Sequence, residues 1–277
     1  MKNRWLMGAA AAALTVAGAF SAQAADLPTR KEAPAPVFVP PPFTWTGFYV
    51  GVNAGGVWGS NGNRSSTIYA NGFPFLSTDW PTGGIGSGNG GFIGGGQAGY
   101  NWQTGAFVLG IETDFDWTSM SKSRSVIGPS FIEPVNGAND FFTASGKASL
   151  DWLGSTRARV GFVATPDNRL MFYGTGGFAY GGGTSNLSVY DAANGWYFAS
   201  GNNSKTRTGW TLGAGVEYAL TNNIILGGEY LYYNLGSRTL NIAPTLAASQ
   251  FFGPGVYAST KVNYDGSVLR ARLSYKF

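Results

Sequence analysis

The last ten residues, Val268-Leu269-Arg270-Ala271-Arg272-Leu273-Ser274-Tyr275-Lys276-Phe277, alternate without a break up to the carboxylate. Successive side chains of an extended strand point to opposite sides. Leu269, Ala271, Leu273, Tyr275 and Phe277 therefore share one face, and Arg270, Arg272, Ser274 and Lys276 the other. A soluble sheet seldom aims two arginines into its second face while ending on an exposed Phe. A membrane barrel suits both rows, because lipid takes the apolar side and a polar interior takes the arginines.

The same period of two recurs upstream. Gly47 to Trp58 sets Phe48, Val50, Val52 and Ala54 against Tyr49, Gly51, Asn53 and Gly55. Phe92 to Gln103 sets Ala98, Tyr100 and Trp102 against Gln97, Gly99 and Asn101, and Ala106 to Trp117 sets Phe107, Leu109, Ile111, Phe115 and Trp117 against Gly110, Glu112, Asp114 and Asp116. Lys147 to Phe162 places Leu150, Trp152, Ala158, Val160 and Phe162 opposite Asp151, Ser155, Arg157 and Arg159. Leu170 to Gly181 is extended, with two faces that are hard to tell apart. Arg207 to Leu220 sets Trp210, Leu212 and Val216 against Thr211, Gly213 and Glu217, and Ile224 to Tyr233 sets Leu226, Tyr230 and Tyr232 against Ile225, Gly227 and Glu229.

Thr104-Gly105, Thr165-Pro166-Asp167-Asn168 and Thr221-Asn222-Asn223 are tight-turn sequences. They alternate with long gaps at about 60–90, 118–146, 182–206 and 234–260. The pattern predicts an all-β fold, an eight-stranded antiparallel up-and-down transmembrane β-barrel spanning 46–277. Short turns and both termini fall on one side. That side is the periplasm in bacterial outer-membrane barrels, where long loops face outward. Trp58, Trp102, Trp117, Trp152, Trp210 and Phe277 stand near strand ends, where aromatic girdles meet the two membrane interfaces.

Ahead of the barrel, residues 1–24 read as a secretory signal, with Lys2 and Arg4 as the charged start, an apolar core, and Ala22-Gln23-Ala24 as the small-residue cleavage site. Residues 25–45 hold six prolines between Pro28 and Pro42 and read as an extended periplasmic lead-in.

Composition supports one barrel and narrows the chemistry. Charged residues make up 12%, about half the usual share, while glycine reaches 43 residues. The formal charge of +4 is not gathered into a basic footprint, so no nucleic-acid partner is expected. There is no histidine and no cysteine. That removes the commonest general base and metal ligand, together with thiolate sites. No catalytic residue, metal or cofactor is expected.

What remains is an inward charge network of Glu112, Asp114, Asp116, Asp151, Arg157, Arg159, Glu217, Glu229, Arg270 and Arg272. Counting from the turns pairs Glu112 with Arg157 and Glu229 with Arg272 across neighbouring strands. An eight-stranded barrel is just wide enough for its own side chains to fill. The network thus reads as a structural plug, with a polar conduit or proton path as the alternative. Glu112-x-Asp114-x-Asp116 also admits a calcium site or paired catalytic carboxylates. No carbonyl-rich loop accompanies the trio, which favours structural lining.

Several stretches together resemble the opacity-type outer-membrane β-barrel family of alphaproteobacteria, which includes major surface antigens, hemin-binding proteins and proteins labelled porin family. They are Trp45-Thr46-Gly47-Phe48-Tyr49-Val50-Gly51, Gly99-Tyr100-Asn101-Trp102, Gly110-Ile111-Glu112-x-Asp114-Phe115, Gly209 to Tyr218, Glu229-Tyr230-Leu231-Tyr232 and the terminal Phe. The resemblance implies a Gram-negative outer-membrane barrel that helps maintain the envelope and displays surface loops. Expected partners are outer-membrane lipid and lipopolysaccharide, and the barrel-assembly machinery, whose C-terminal signal Tyr275 and Phe277 resemble. A surface ligand of the loops is left open. Small-solute transport, adhesion and haem binding through Tyr or Met are the rival functions.

Overall fold

The structure, a computed structural model, describes residues 42–59, 66–70, 73–78, 90–129, 141–191, 196–199, 203–242, 249–250 and 257–277. The expected signal segment and all but the end of the lead-in lie outside them. The strands are β1 (Gly47–Gly59), β2 (Ser66–Ala70), β3 (Phe73–Thr78), β4 (Gly90–Thr104), β5 (Phe107–Pro129), β6 (Phe141–Val163), β7 (Leu170–Asp191), β8 (Trp196–Ala199), β9 (Asn203–Ala219), β10 (Ile224–Ile242) and β11 (Tyr257–Lys276). The wall runs β1-β4-β5-β6-β7-β9-β10-β11, and β11 pairs back onto β1 from Gly59–Gly266 to Tyr49–Lys276. This is a closed eight-stranded antiparallel barrel, so over that height the sheet has no edge.

Closure fixes its proportions. Direct partners followed once round, from Gly59 through Gly266, Tyr233, Thr211, Gly177, Arg157, Glu112 and Gly99, return to β1 at Tyr49, ten residues nearer the turns. Such a stagger on eight strands goes with a strand tilt of about 45°. At the turns, Gly105 (φ 61°) and Asn168 (φ 60°) take the left-handed backbone that these two residue types tolerate best. Asp167 lies in the second turn. Hydrogen bonds from the Thr165 side chain and the Arg169 N–H hold its carboxyl below the ordinary carboxylate range.

The outward face is apolar. Phe48, Val52, Trp102, Leu109, Ile111, Leu212, Leu269 and Phe277 are all more than half exposed. Phe107 stands opposite Phe162 near the turns, and Trp117 opposite Trp152 ten residues further along β5. Ten residues at about 3.3 Å, tilted by about 45°, rise roughly 23 Å. That height matches the apolar band of about 25 Å in outer-membrane barrels.

Two features depart from the sequence-based expectation. First, much of the expected loops is strand: β5 runs on to Pro129, β6 begins at Phe141, β7 reaches Asp191, and β10 and β11 extend to Ile242 and from Tyr257. Above the apolar band both faces are free to be polar, as in Ser121-Lys122-Ser123-Arg124-Ser125, so no alternation announces a strand. There the wall parts into β5-β6-β7-β8 and β10-β11-β2-β3.

Second, Asp151 does not belong to the interior. The registers slip between Trp117 and Met120 on β5 and between Ala148 and Trp152 on β6. These bulges reverse the facing of the residues between them, leaving Asp151 exposed and Leu150 buried. The Thr118 hydroxyl anchors the irregularity, donating to the Leu150 carbonyl at 2.7 Å and accepting from the Met120 N–H at 3.0 Å.

Candidate functional site

The barrel interior forms three layers. Nearest the turns is an apolar one, with Phe43, Trp45, Val108, Val163, Met171, Tyr173, Ala219 and Ile225 buried together. Nearest the loops is a second, with Val57, Ile93, Met120, Leu150, Leu153, Ala179, Leu231, Tyr233, Leu235, Tyr264 and Val268. Between them lie the charges. Glu112, Asp114, Asp116, Arg157, Arg159, Glu217, Glu229, Arg270 and Arg272 are all buried.

The central layer is one connected network. Arg157 reaches Glu112 and Asp114 at 2.6 Å each and Glu229 at 2.9 Å. Arg270 joins Asp114 at 2.7 Å, Asp116 at 2.6 Å and Glu229 at 2.7 Å. Arg159 binds Glu112 at 3.0 Å and Glu217 at 2.8 Å. Arg272 binds Glu112, and Glu229 at 2.9 Å.

Strand register explains part of this. Arg157 faces Glu112 directly, and the direct partner of Glu229 is Arg270, with Arg272 one inward position along. The contacts across the lumen, such as Arg157–Glu229 and Arg270–Asp116, come from closure alone.

Sequence reading passed over the neutral members. The Tyr49 hydroxyl donates to Glu112 at 2.6 Å and accepts from Arg159 at 2.6 Å. The Tyr173 hydroxyl donates to Glu229 at 3.0 Å and accepts from Arg272 at 2.8 Å. Ser155 donates to Asp114 at 2.9 Å, and Asn53, Gln97 and Ser274 form an amide–hydroxyl chain beside the charges. Inward parity on β1 and β6 sets Tyr49 and Ser155 on the inner face without joining them to the charges, whereas β7, where Tyr173 sits, has two similar faces.

The Arg159 guanidinium also lies 4.0 Å from the centre of the Tyr173 ring, a cation–π contact. Arginine forks fill the space between Glu112, Asp114 and Asp116 that a cation would take. Among the described residues no cluster of acidic side chains is arranged to hold a metal ion.

Glycine makes room for these bulky groups. A side chain at Gly99 would run into the Tyr49 hydroxyl, and one at Gly215 would stand 2.5 Å from the Tyr173 hydroxyl. The space beside these inward glycines holds Tyr side chains. Gly99→Val should therefore destabilise the barrel by about 1–3 kcal/mol through overpacking. An unchanged urea midpoint in detergent would refute that packing role.

No described helix is long and apolar enough to cross a membrane. A family model of the outer membrane protein beta-barrel domain matches residues 11–277. The chain belongs to this family.

The 31 kDa outer-membrane immunogenic protein of Brucella melitensis is 39% identical to this outer-membrane barrel over 261 residues, 94% of this chain and 95% of the relative. The 25 kDa outer-membrane immunogenic protein of Brucella abortus is 29% identical over 263 residues, 94% and 92% of the two chains. Among solved structures, the outer membrane protein OprG from Pseudomonas aeruginosa aligns with 84% of this chain and 96% of its own, at 14% identity and a TM-score of 0.46.

Proposed function

We propose that this outer-membrane barrel is a structural and surface-display protein whose lumen is a closed plug of mutually bonded charges. The observation that carries the reading is the layering. Four arginines and five carboxylates are enclosed between an apolar layer near the turns and another near the loops. A conduit needs polar groups that face water, and here they face one another. The small cavity beside Asp114, Asp116 and Arg270 has room for about one water molecule.

A hydrolytic or acyl-transfer role finds no support in the same geometry, because the carboxylates of the central layer and the Tyr49 and Tyr173 hydroxyls are bonded to arginine. In this reading the short turns and both termini face the periplasm and the extended hairpins face outward. Lys147 stands exposed on the strand segment just beyond the loop-side aromatic row. That is the level of outer-leaflet head groups, where cations attract the phosphates of lipopolysaccharide.

Planar bilayers test the plug. The folded protein should give no steady open channel. A sustained single-channel conductance would sink this reading and favour a small-solute porin.

A further inference from the structure

Residues 42–46 belong to no strand. Even so, Trp45 is fully buried and Phe43 nearly so. The sheet's hydrogen-bond ladder does not hold them. The Trp45 backbone N–H donates to the Gln103 side-chain oxygen at 2.8 Å, its indole N–H donates to the Asn168 carbonyl at 2.8 Å, and the Thr46 hydroxyl accepts the Gln103 N–H at 2.9 Å. Gln103 stands at the end of β4 and Asn168 in the β6–β7 turn, so the short coil reaches across the turn-side mouth. Phe43 packs edge-on against Trp45 at 5.1 Å, and the charged ends of Arg169 and Lys276 each lie 5.6 Å from its ring centre. Beyond Trp45 come Val108, Met171 and Ile225 of the turn-side apolar layer, and then the lowest members of the charge network.

We propose that Phe43–Trp45 is a detachable plug that undocks as a unit while the eight strands stay paired. Undocking opens a lower chamber to water and small solutes from the turn side, as far as Tyr49, Tyr173 and Arg159. The arginine layer and the second apolar layer stop anything further. The asymmetry of attachment is the reason. Within the closed band each wall strand is bonded along both edges, whereas the plug hangs on a few side-chain contacts from one five-residue coil, and local opening starts where such contacts are fewest. The plug thus decides whether the lower third of the lumen belongs to the protein interior or to the compartment beyond the turns.

The chain has no cysteine, so single introduced thiols report accessibility without background. Met171→Cys places a thiol in the lower chamber and Ser155→Cys places one among the carboxylates, at positions that are both buried. In detergent-folded protein a charged maleimide should label position 171 about tenfold faster than position 155, since labelling follows the population of the open form. Adding Trp45→Gly should raise the rate at 171 by about another tenfold, with position 155 and the heat-modifiable gel band unchanged. Trp45→Phe keeps a ring but loses the bond to Asn168, and should fall between. If 171 labels no faster than 155 in the native background, or both rise together in the Trp45 variants, the mouth opens only when the barrel unfolds and the plug is overturned. Should Trp45→Gly fail to fold, the native-background comparison and Trp45→Phe decide the matter alone.

Discussion

Arg272→Met is expected to destabilise the folded barrel by about 3–5 kcal/mol, the cost typical of removing one partner from a buried ionic network. Arg272 binds Glu229 at 2.9 Å and the Tyr173 hydroxyl at 2.8 Å, reaches Glu112 with its other nitrogen, and lies 3.6 Å from Glu217. The native layer already holds five carboxylates against four guanidinium groups, and the substitution leaves three. Methionine fills much of the volume, so lost packing is a small part of the effect. Lost charge compensation, with no water to replace it, is the large part.

Arg272→Lys separates charge from shape. It keeps the cation but cannot bridge two carboxylates with a planar fork, so it should recover only part of the loss. Urea midpoints of the folded, heat-modifiable form in detergent measure both variants. Equal midpoints for Arg272→Met and the native chain would show that the layer is dispensable for stability.

Deleting Phe277 should reduce outer-membrane assembly several-fold in cells while costing the already folded barrel little. In the folded state Phe277 contributes one ladder bond, its N–H donating to the Phe48 carbonyl at 3.0 Å across the β1–β11 seam. Its ring is 70% exposed and packs edge-on against Tyr275 at 5.2 Å. One bond at a strand end is worth about 1 kcal/mol. A large assembly defect would therefore arise before the barrel closes, as expected if the assembly machinery reads the aromatic end that Tyr275 and Phe277 present. Surface labelling of cells and heat modifiability of the extracted protein provide the two readouts. If surface exposure is unchanged in the deletion, recognition does not depend on this residue.

The same two regions show how far the amino-acid order alone reaches. Within the apolar band, lipid on one side and a crowded lumen on the other impose strict alternation. Strand number, the short-turn side and the inward placing of Glu112, Arg157, Arg159, Glu217, Glu229, Arg270 and Arg272 were therefore legible. Legibility stops where the two environments become alike. Above the band β5, β6, β7, β10 and β11 run on through polar residues that show no period, and the bulges near Trp117 and Trp152 turn Asp151 outward against the running count. Trp45 enters the resemblance, but its burial was not legible, for a related reason. It precedes the first periodic segment, and burial of an isolated aromatic leaves no pattern to read.

By itself the sequence determined the barrel, because a period of two with lipid-compatible residues on one face has a single way to bury its backbone polar groups in a membrane. It also determined that the lumen is charged, since an arginine turned to lipid at mid-height costs roughly 2–4 kcal/mol. Only the tertiary structure decided which charges meet. Pairing between neighbours follows from register. The contacts of Arg157 with Glu229 and of Arg270 with Asp116 cross the lumen, and they exist because the final strand, with Arg270 and Arg272 on its inner face, closes against the first. Tertiary structure likewise placed an apolar layer on either side of the charges, a vertical order that depends on the ten-residue stagger of the closed sheet and is written on no single strand.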